Sequence, residues 1–510
     1  MSDAMRLGQA AIQNKNLPEA IDCFGRAVKE SPKDPQALAC LGQALCWQGR
    51  REEGASYLRQ SGQALLKKAR KNRDIGLVLD MADQMQHWGD YPGSVELCKQ
   101  AAQIDPNNVR AFQLLALSHW QLNQKKPALA AGRHALKLVP DNPTLMVLLA
   151  SLEIADGQSE QARKRLEKVL DNPLLKVEER FRAHKELARV LDKLGVYDQV
   201  FRHLHASGEI APRLPEVKQQ DAQWVPRMLD SHKAEFDREL LGRWSNASFP
   251  AEQPAPVFVL GFMRTGTTLT QEVLGAHPKV FVADETDLIH AVVTELERVS
   301  SVRGSIAAQL RNLDWEGVLH LREFYWARAR ALFGDSIDGR LLLDKTTMNS
   351  IDIGLINCLF PDAKLIFLLR DPRDVCLSCI MQTMRPAPST VHLLNWQDTA
   401  KFYAQVMDWW YTVKPRLTMN FIEFRYEDAV FDFEAAFRKV FDFLELEWDP
   451  KVADFHKNAA GKYIASPSFE QVAKPLYSSS VGRWRRYEAE YQAILPTLQP
   501  FIDRYGYGES

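Results

Sequence analysis

A bulky residue followed by a small one recurs at a nearly fixed interval through the N-terminal part of the chain: Leu7-Gly8, Leu41-Gly42, Met81-Ala82, Leu115-Ala116, Leu149-Ala150 and Leu187-Ala188. The successive intervals are 34, 40, 34, 34 and 38 residues. Self-similarity at such a period dictates a stack of like units, each of which buries its apolar face only against its neighbours. Within the first unit Gly8, Ala20, Phe24, Ala27 and Pro32 follow in order, and Ala116, Ala128, Gly132, Ala135 and Pro140 repeat the pattern 108 residues later. Small residues at these places let two antiparallel helices approach closely, and the proline closes the second helix before the next unit begins. The longer intervals fall on KKARKNRDI and LDNPLLKVEERF and predict longer helices or loops there.

This pattern resembles the tetratricopeptide repeat over residues 1–208. The resemblance implies an all-α helical-repeat solenoid whose concave face docks a protein or peptide. Trp47, Trp88 and Trp120 are expected to pack between repeats rather than to line a ligand groove.

A chain of 510 residues is too long for one hydrophobic core, so at least one further domain follows. The period is lost after about residue 210. One amphipathic segment then leads into SNASFPAEQPAP, which reads as a linker ending near Pro256. The expected division is therefore repeats over 1–208, a helical connector and Pro-rich linker over 209–255, and a second domain over 256–510. In the latter, PVFVL at 256–260 and KLIFLLR at 364–370 are short continuous apolar runs, each followed by a loop and a helix-like stretch. Such runs predict buried parallel strands in β-loop-α units, hence an α/β domain with a central parallel sheet.

Charge and targeting narrow the partners. Lys plus Arg number 64 against 65 Asp plus Glu, so no global field recruits nucleic acid or anionic membrane. The first residues lack the apolar core of a signal peptide, and no later apolar run approaches the ~20 residues that span a bilayer. Seven cysteines, an odd and sparse set, fit reduced thiols, so the expected setting is cytoplasmic. Cys376-x-x-Cys379 lies within a predicted helix and reads as packing rather than as a metal site.

The strand VFVL runs into Gly261-Phe-Met-Arg264-Thr265-Gly266-Thr267-Thr268 and then a helix-like LTQEVLGAH. Glycines followed by hydroxyls at a helix N-terminus form a cradle of backbone N–H groups at the positive end of a dipole, suited to an anion. The spacing nearly spells a P-loop, yet Thr267 stands where that motif has its lysine, which disfavours an ATPase or kinase; Arg264 supplies a cation from within the loop. This loop resembles the one with which sulfotransferases hold the 5′-phosphosulfate of 3′-phosphoadenosine 5′-phosphosulfate (PAPS). A second segment, KLIFLLRDPRDVCLSC, places Arg370 at a strand end and Ser378 in the following helix, where both can converge on one phosphate. In sulfotransferases this segment grips the 3′-phosphate that distinguishes the donor from ATP.

The local stretches over roughly 255–505 resemble the tyrosylprotein sulfotransferases. Gly275-Ala-His-Pro is followed by Asp284-Glu285-Thr286, and Glu285 matches that family's general base. Leu343-Asp344-Lys345 resembles its Asn-Lys-Asp segment, whose lysine stabilises the leaving oxygen. Arg425-Tyr426-Glu427-Asp428 matches a segment whose tyrosine contributes to nucleotide binding. Ser468, within Ser-x-x-Gln-Val-Ala-Lys-Pro, and Arg483, within Gly482-Arg483-Trp484, take positions of a loop that closes over the donor. Three positions depart from the family: Arg483 replaces a lysine, Asp287 stands where it has an acceptor-facing arginine, and Gln382 where it has a donor-binding arginine.

The resemblance implies a PAPS-dependent sulfotransferase with protein tyrosine as the leading acceptor; a glycan, lipid or small phenol is the alternative. The expected roles are Glu285 as base, Arg264 and Lys345 over the developing charge, and Thr267 and Thr268 on the 5′-phosphate, with Arg370 and Ser378 on the 3′-phosphate. No metal is required, because a sulfuryl group carries less charge than a γ-phosphoryl. His277, followed at once by Pro278, is read as a turn or packing residue rather than a base. A kinase and a catalytically dead repeat scaffold are the remote alternatives, disfavoured by Thr267 and by the set Arg264, Glu285, Lys345, Arg370 and Ser378 respectively. A bacterial origin is expected, since animal relatives of the family carry a membrane anchor and this sequence shows none.

Overall fold

A computed structural model describes residues 2–14, 16–459, 476 and 478–508. The chain divides into two compact units, Met1–Leu175 and Lys176–Ser510.

The first unit is a series of helix pairs. They are α1 (Asp3–Gln13) and α2 (Leu17–Glu30), α3 (Pro35–Gln48) and α4 (Arg51–Asn72), α5 (Gly76–His87) and α6 (Tyr91–Ile104), α7 (Val109–Gln121) and α8 (Lys125–Leu138), α9 (Pro143–Ala155) and α10 (Ser159–Leu170). Asp34 and Asn142 cap their helices with a side-chain oxygen and are followed by proline at the first helical position, where a missing N–H costs nothing. Each bulky-small pair lies on the first helix of its pair. A Cβ on Gly8 would stand 2.4 Å from the Phe24 ring, and one on Gly54 would stand 2.6 Å from the Gly42 carbonyl oxygen. Ala20, Ala27, Ala128 and Ala135 are buried on the second helices, as the spacing requires. The extra residues before Met81 extend α4 to 22 residues, whereas those before Leu187 form the connection after α10. Trp88 and Trp120 pack against the core of this unit, and Trp47 stays half exposed with its ring edge-on to Trp88 at 6.2 Å.

The second unit is built on five parallel strands in the order β2-β3-β1-β4-β5: β1 (Val257–Gly261), β2 (Val280–Asp284), β3 (Leu341–Lys345), β4 (Lys364–Leu369) and β5 (Asn420–Arg425). β1 is buried along its whole length and β4 after its first residue, because helices cover both faces. Phe367 stacks on Trp410 on one side, while Val259, Ile366 and Leu368 join Val273 and Phe437 in a core cluster.

The compact sheet unit begins well before the position where the sequence places the second domain. The helices α11 (Val177–Leu194) and α12 (Tyr197–Ile210) carry the last bulky-small pair, Leu187-Ala188, yet they pack within the sheet unit. Phe201 contacts Trp396 edge-on at 5.0 Å and lies 5.3 Å from the Tyr487 ring, and Lys185 donates to the Ile380 carbonyl. The connector is equally engaged: Asn357 and Cys358 donate to the carbonyls of Leu241 and Leu240. The Pro-rich stretch is held by Arg322 and Trp326, which donate to the carbonyls of Gln253 and Pro254. Among the described residues no helix is long and apolar enough to cross a membrane.

Candidate active site

Each of the five strands delivers a candidate residue at or just past its carboxyl end. β1 leads into the loop with Arg264, β2 into Glu285, β3 ends on Lys345, β4 is followed by Arg370 and β5 by Tyr426. Parallel α/β sheets bind ligands outside the carboxyl ends of their strands, at the side where all the connecting loops open.

The anion end is assembled around the β1 loop. Gly266, at φ +107°, turns the chain into the Thr267–Gly275 helix; a Cβ there would strike the Tyr426 ring at 2.7 Å. Arg264 adopts φ +70° and donates from Nε to Ser378 Oγ at 3.0 Å, joining the two segments that the sequence pairs on one phosphate. Arg370, almost buried, donates to the carbonyls of Arg264 (3.1 Å) and Ser480 (2.7 Å) and lies over the Tyr426 ring at 4.5 Å. Its Nε is buried without a hydrogen-bond partner among the described residues. A buried guanidinium N–H left open beside a helix N-terminus fits a phosphate-bearing ligand.

Thr267 and Thr268 are buried at the first turn of that helix, and Thr267 Oγ1 lies 3.0 Å from Thr347 Oγ1. Thr265 is buried as well, but its hydroxyl donates to the Phe262 carbonyl at 2.7 Å and so closes the loop upon itself.

The carboxylate end lies at the tips of β2 and β3. Lys345 is fully buried, with Nζ 2.6 Å from Asp284 Oδ1 and 2.7 Å from Glu285 Oε1. Burial works against its charge, but Glu285 and Asp284 outweigh that and hold the ammonium above its ordinary pKa. Thr347 donates to the same Glu285 oxygen at 3.2 Å, so hydroxyls connect the anion loop to the carboxylate. Glu285 adopts φ +48°, anchored by its N–H to the Lys345 carbonyl at 2.8 Å, and its side chain is 34% exposed. A left-handed backbone at a non-glycine residue is strained, and both Arg264 and Glu285 carry it. Behind them, Asp344 accepts from the Tyr325 hydroxyl at 3.0 Å, and its full burial pushes the carboxyl up to about 7.

The remaining residues find definite places. Arg483 pairs with Asp192 at 2.6 Å. Ser468 lies outside the described residues. Asp287, acidic where the related family is basic, receives two hydrogen bonds from Arg328, at 3.3 and 2.7 Å, so a cation still stands at this rim. His277 accepts from the Lys279 N–H at 3.2 Å and packs on Phe441, a turn residue. Cys376 and Cys379 are buried within the Pro372–Ile380 helix, and burial pushes the Cys379 thiol up to about 12. Two contributors escape sequence reasoning: Thr347, two residues past Lys345, and Ser480, whose hydroxyl is 2.8 Å from the Tyr426 hydroxyl. The pair of hydroxyls in Lys345-Thr-Thr is the signal for the first; nothing in the sequence marks the second.

A parallel α/β domain with an anion-binding loop at its carboxyl edge and a lysine–carboxylate pair beside it defines the class. Residues 256–450 match the family model described as the sulfotransferase family. An uncharacterized protein of Aquifex aeolicus is 27% identical over 377 residues, covering 71% of this chain and 47% of that protein. The chain thus spans about half the length of that relative. Protein-tyrosine sulfotransferase A of Caenorhabditis elegans is 25% identical over 257 residues, 49% of this chain and 67% of the relative. Among solved structures, a thermophilic TPR protein of Thermus thermophilus aligns with TM-score 0.21 and 22% identity, covering 36% of this chain and 97% of that protein.

Proposed function

We propose that this chain is a PAPS-dependent sulfotransferase that acts on a hydroxyl, with protein tyrosine as the acceptor and the helical repeats docking the protein that carries it. The observation that carries this reading is the meeting of Glu285 with buried Lys345 at 2.7 Å, linked through Thr347 to the first turn behind the anion loop. The tyrosine acceptor rests on the motif resemblance and on the named activity of the nematode relative.

Sulfuryl transfer breaks the bond between sulfur and the bridging phosphate oxygen and forms one to the acceptor oxygen, releasing 3′-phosphoadenosine 5′-phosphate (PAP). The acceptor proton goes to Glu285, the partly exposed member of the pair. Lys345 and Arg264 stand as fixed cations for the charge that develops on the leaving phosphate. Their value is high because Lys345 is withdrawn from water, where charges interact more strongly than in solution. Thr267, Thr268 and the N–H groups of the helix start hold the 5′-phosphate, and Arg370 with Ser378 the 3′-phosphate. Incubation with labelled PAPS and a tyrosine-containing peptide tests the reading: the wild type transfers label to the phenolic oxygen. Label that goes instead to a glycan or small phenol would replace the acceptor, and no transfer to any hydroxyl would remove the activity.

A further inference from the structure

The segment Ser478–Tyr487 meets the anion site on one side and α11 on the other. On the site side, the Ser480 carbonyl accepts from Arg370 at 2.7 Å and its hydroxyl lies 2.8 Å from the Tyr426 hydroxyl. Asp374, one turn before Ser378 on the same helix, accepts from the N–H groups of Gly482 (2.7 Å) and Trp484 (3.0 Å). On the other side, one carboxylate of α11 holds the segment: Asp192 takes the Arg483 guanidinium at 2.6 Å and the Tyr487 hydroxyl at 2.5 Å. The Asp192 side chain is 11% exposed, so this contact is made largely out of water, where an ion pair with a second hydrogen bond fixes geometry firmly. Tyr197 and Phe201 of α12 flank the same Tyr487 ring at 5.7 and 5.3 Å.

We infer that Asp192 is a positioning residue for the donor: by latching Arg483 and Tyr487 it holds Ser480 against Arg370 and Tyr426, so the last helix pair of the repeat series sets affinity for the doubly phosphorylated nucleotide. Arg483, expected from the motif to face the donor, acts through this latch. The inference rests on the proposed PAPS site. It gives α11 a task that no docking role requires.

The test uses the full chain with Asp192→Asn, which keeps an acceptor for Tyr487 but loses the charge, and Asp192→Ala, which loses both. PAP affinity is measured by calorimetry, and amide exchange is followed at Gly482 and Trp484. The expected result is a PAP dissociation constant raised about tenfold in the alanine variant and less in the asparagine variant. Faster exchange at both amides and a rise in donor KM that exceeds the fall in kcat should accompany it. The reversed pair Asp192→Arg with Arg483→Asp should recover part of the affinity, which a merely structural role for Asp192 does not predict. Wild-type PAP affinity with unchanged exchange in the alanine variant overturns the latch. If the wild type itself does not bind PAP, the reading of the site fails, and the exchange at Gly482 and Trp484 still decides whether Asp192 holds the segment.

Discussion

In the repeat unit a glycine sits where two helices touch; in the sheet unit a glycine sits where a loop turns beneath an aromatic ring. Gly54 has the α4 backbone conformation of any helical residue, and it is small because the Gly42 carbonyl oxygen would lie 2.6 Å from a Cβ. Gly266 is at φ +107° and opens the helix whose N-terminus faces the candidate anion site. The first substitution problem is one of packing and the second one of backbone direction. A repeat array can thus repair a local error by shifting a neighbour, whereas the strand-end site depends on single positions.

The largest expected contrast concerns where the sheet unit begins. A chain starting at Lys176 should unfold cooperatively and gain stability from PAP, while one starting at Glu209 loses α11 and α12, exposes the faces of Trp396 and Tyr487, and should aggregate; thermal scans of both decide it. Next comes the base. Glu285→Gln should lower transfer by about 10³-fold while thermal stabilisation by PAP persists, and full activity in that variant would remove Glu285 from the role. Arg370→Ala should weaken PAP by between about 10- and 100-fold and leave ADP nearly unchanged in calorimetry, because only the former carries the 3′-phosphate. In the repeat unit, Gly54→Ala should destabilise by roughly 1–3 kcal/mol through overpacking, less about 1 kcal/mol of helix propensity gained. That variant should leave PAP affinity untouched; a parallel loss would mean the two units are not independent in this respect. The smallest effect expected is that of a chelator, which should leave transfer unchanged, since Lys345 and Arg264 supply the positive charge.

Much of this contrast is legible in the sequence for physical reasons. Repeats announce themselves because each helix pair needs a small residue at the same crossing, as at Gly8 and Ala116. The β1 loop is legible because a strand, a loop of glycines and a helix start are contiguous along the chain. The extent of the repeats is less so. The pair Leu187-Ala188 reports how α11 meets α12, and it says nothing of what their other faces cover, which is the sheet unit through Phe201 and Lys185. Thr347 and Ser480 stay hidden because their partners, Glu285 and Tyr426, lie 62 and 54 residues away along the chain. A hydroxyl carries no periodic signature, so only the sheet register brings such groups together.

The left-handed backbone at Arg264 and Glu285 has an evolutionary corollary. Glycine would relieve about 1 kcal/mol at either place, so selection for sturdiness alone pulls both positions toward glycine while the reaction pulls them back. A descendant freed from its chemistry should drift there first and become more robust as it falls silent. The residue found at these two positions in any relative therefore serves as a molecular fossil of whether its reaction is still under selection.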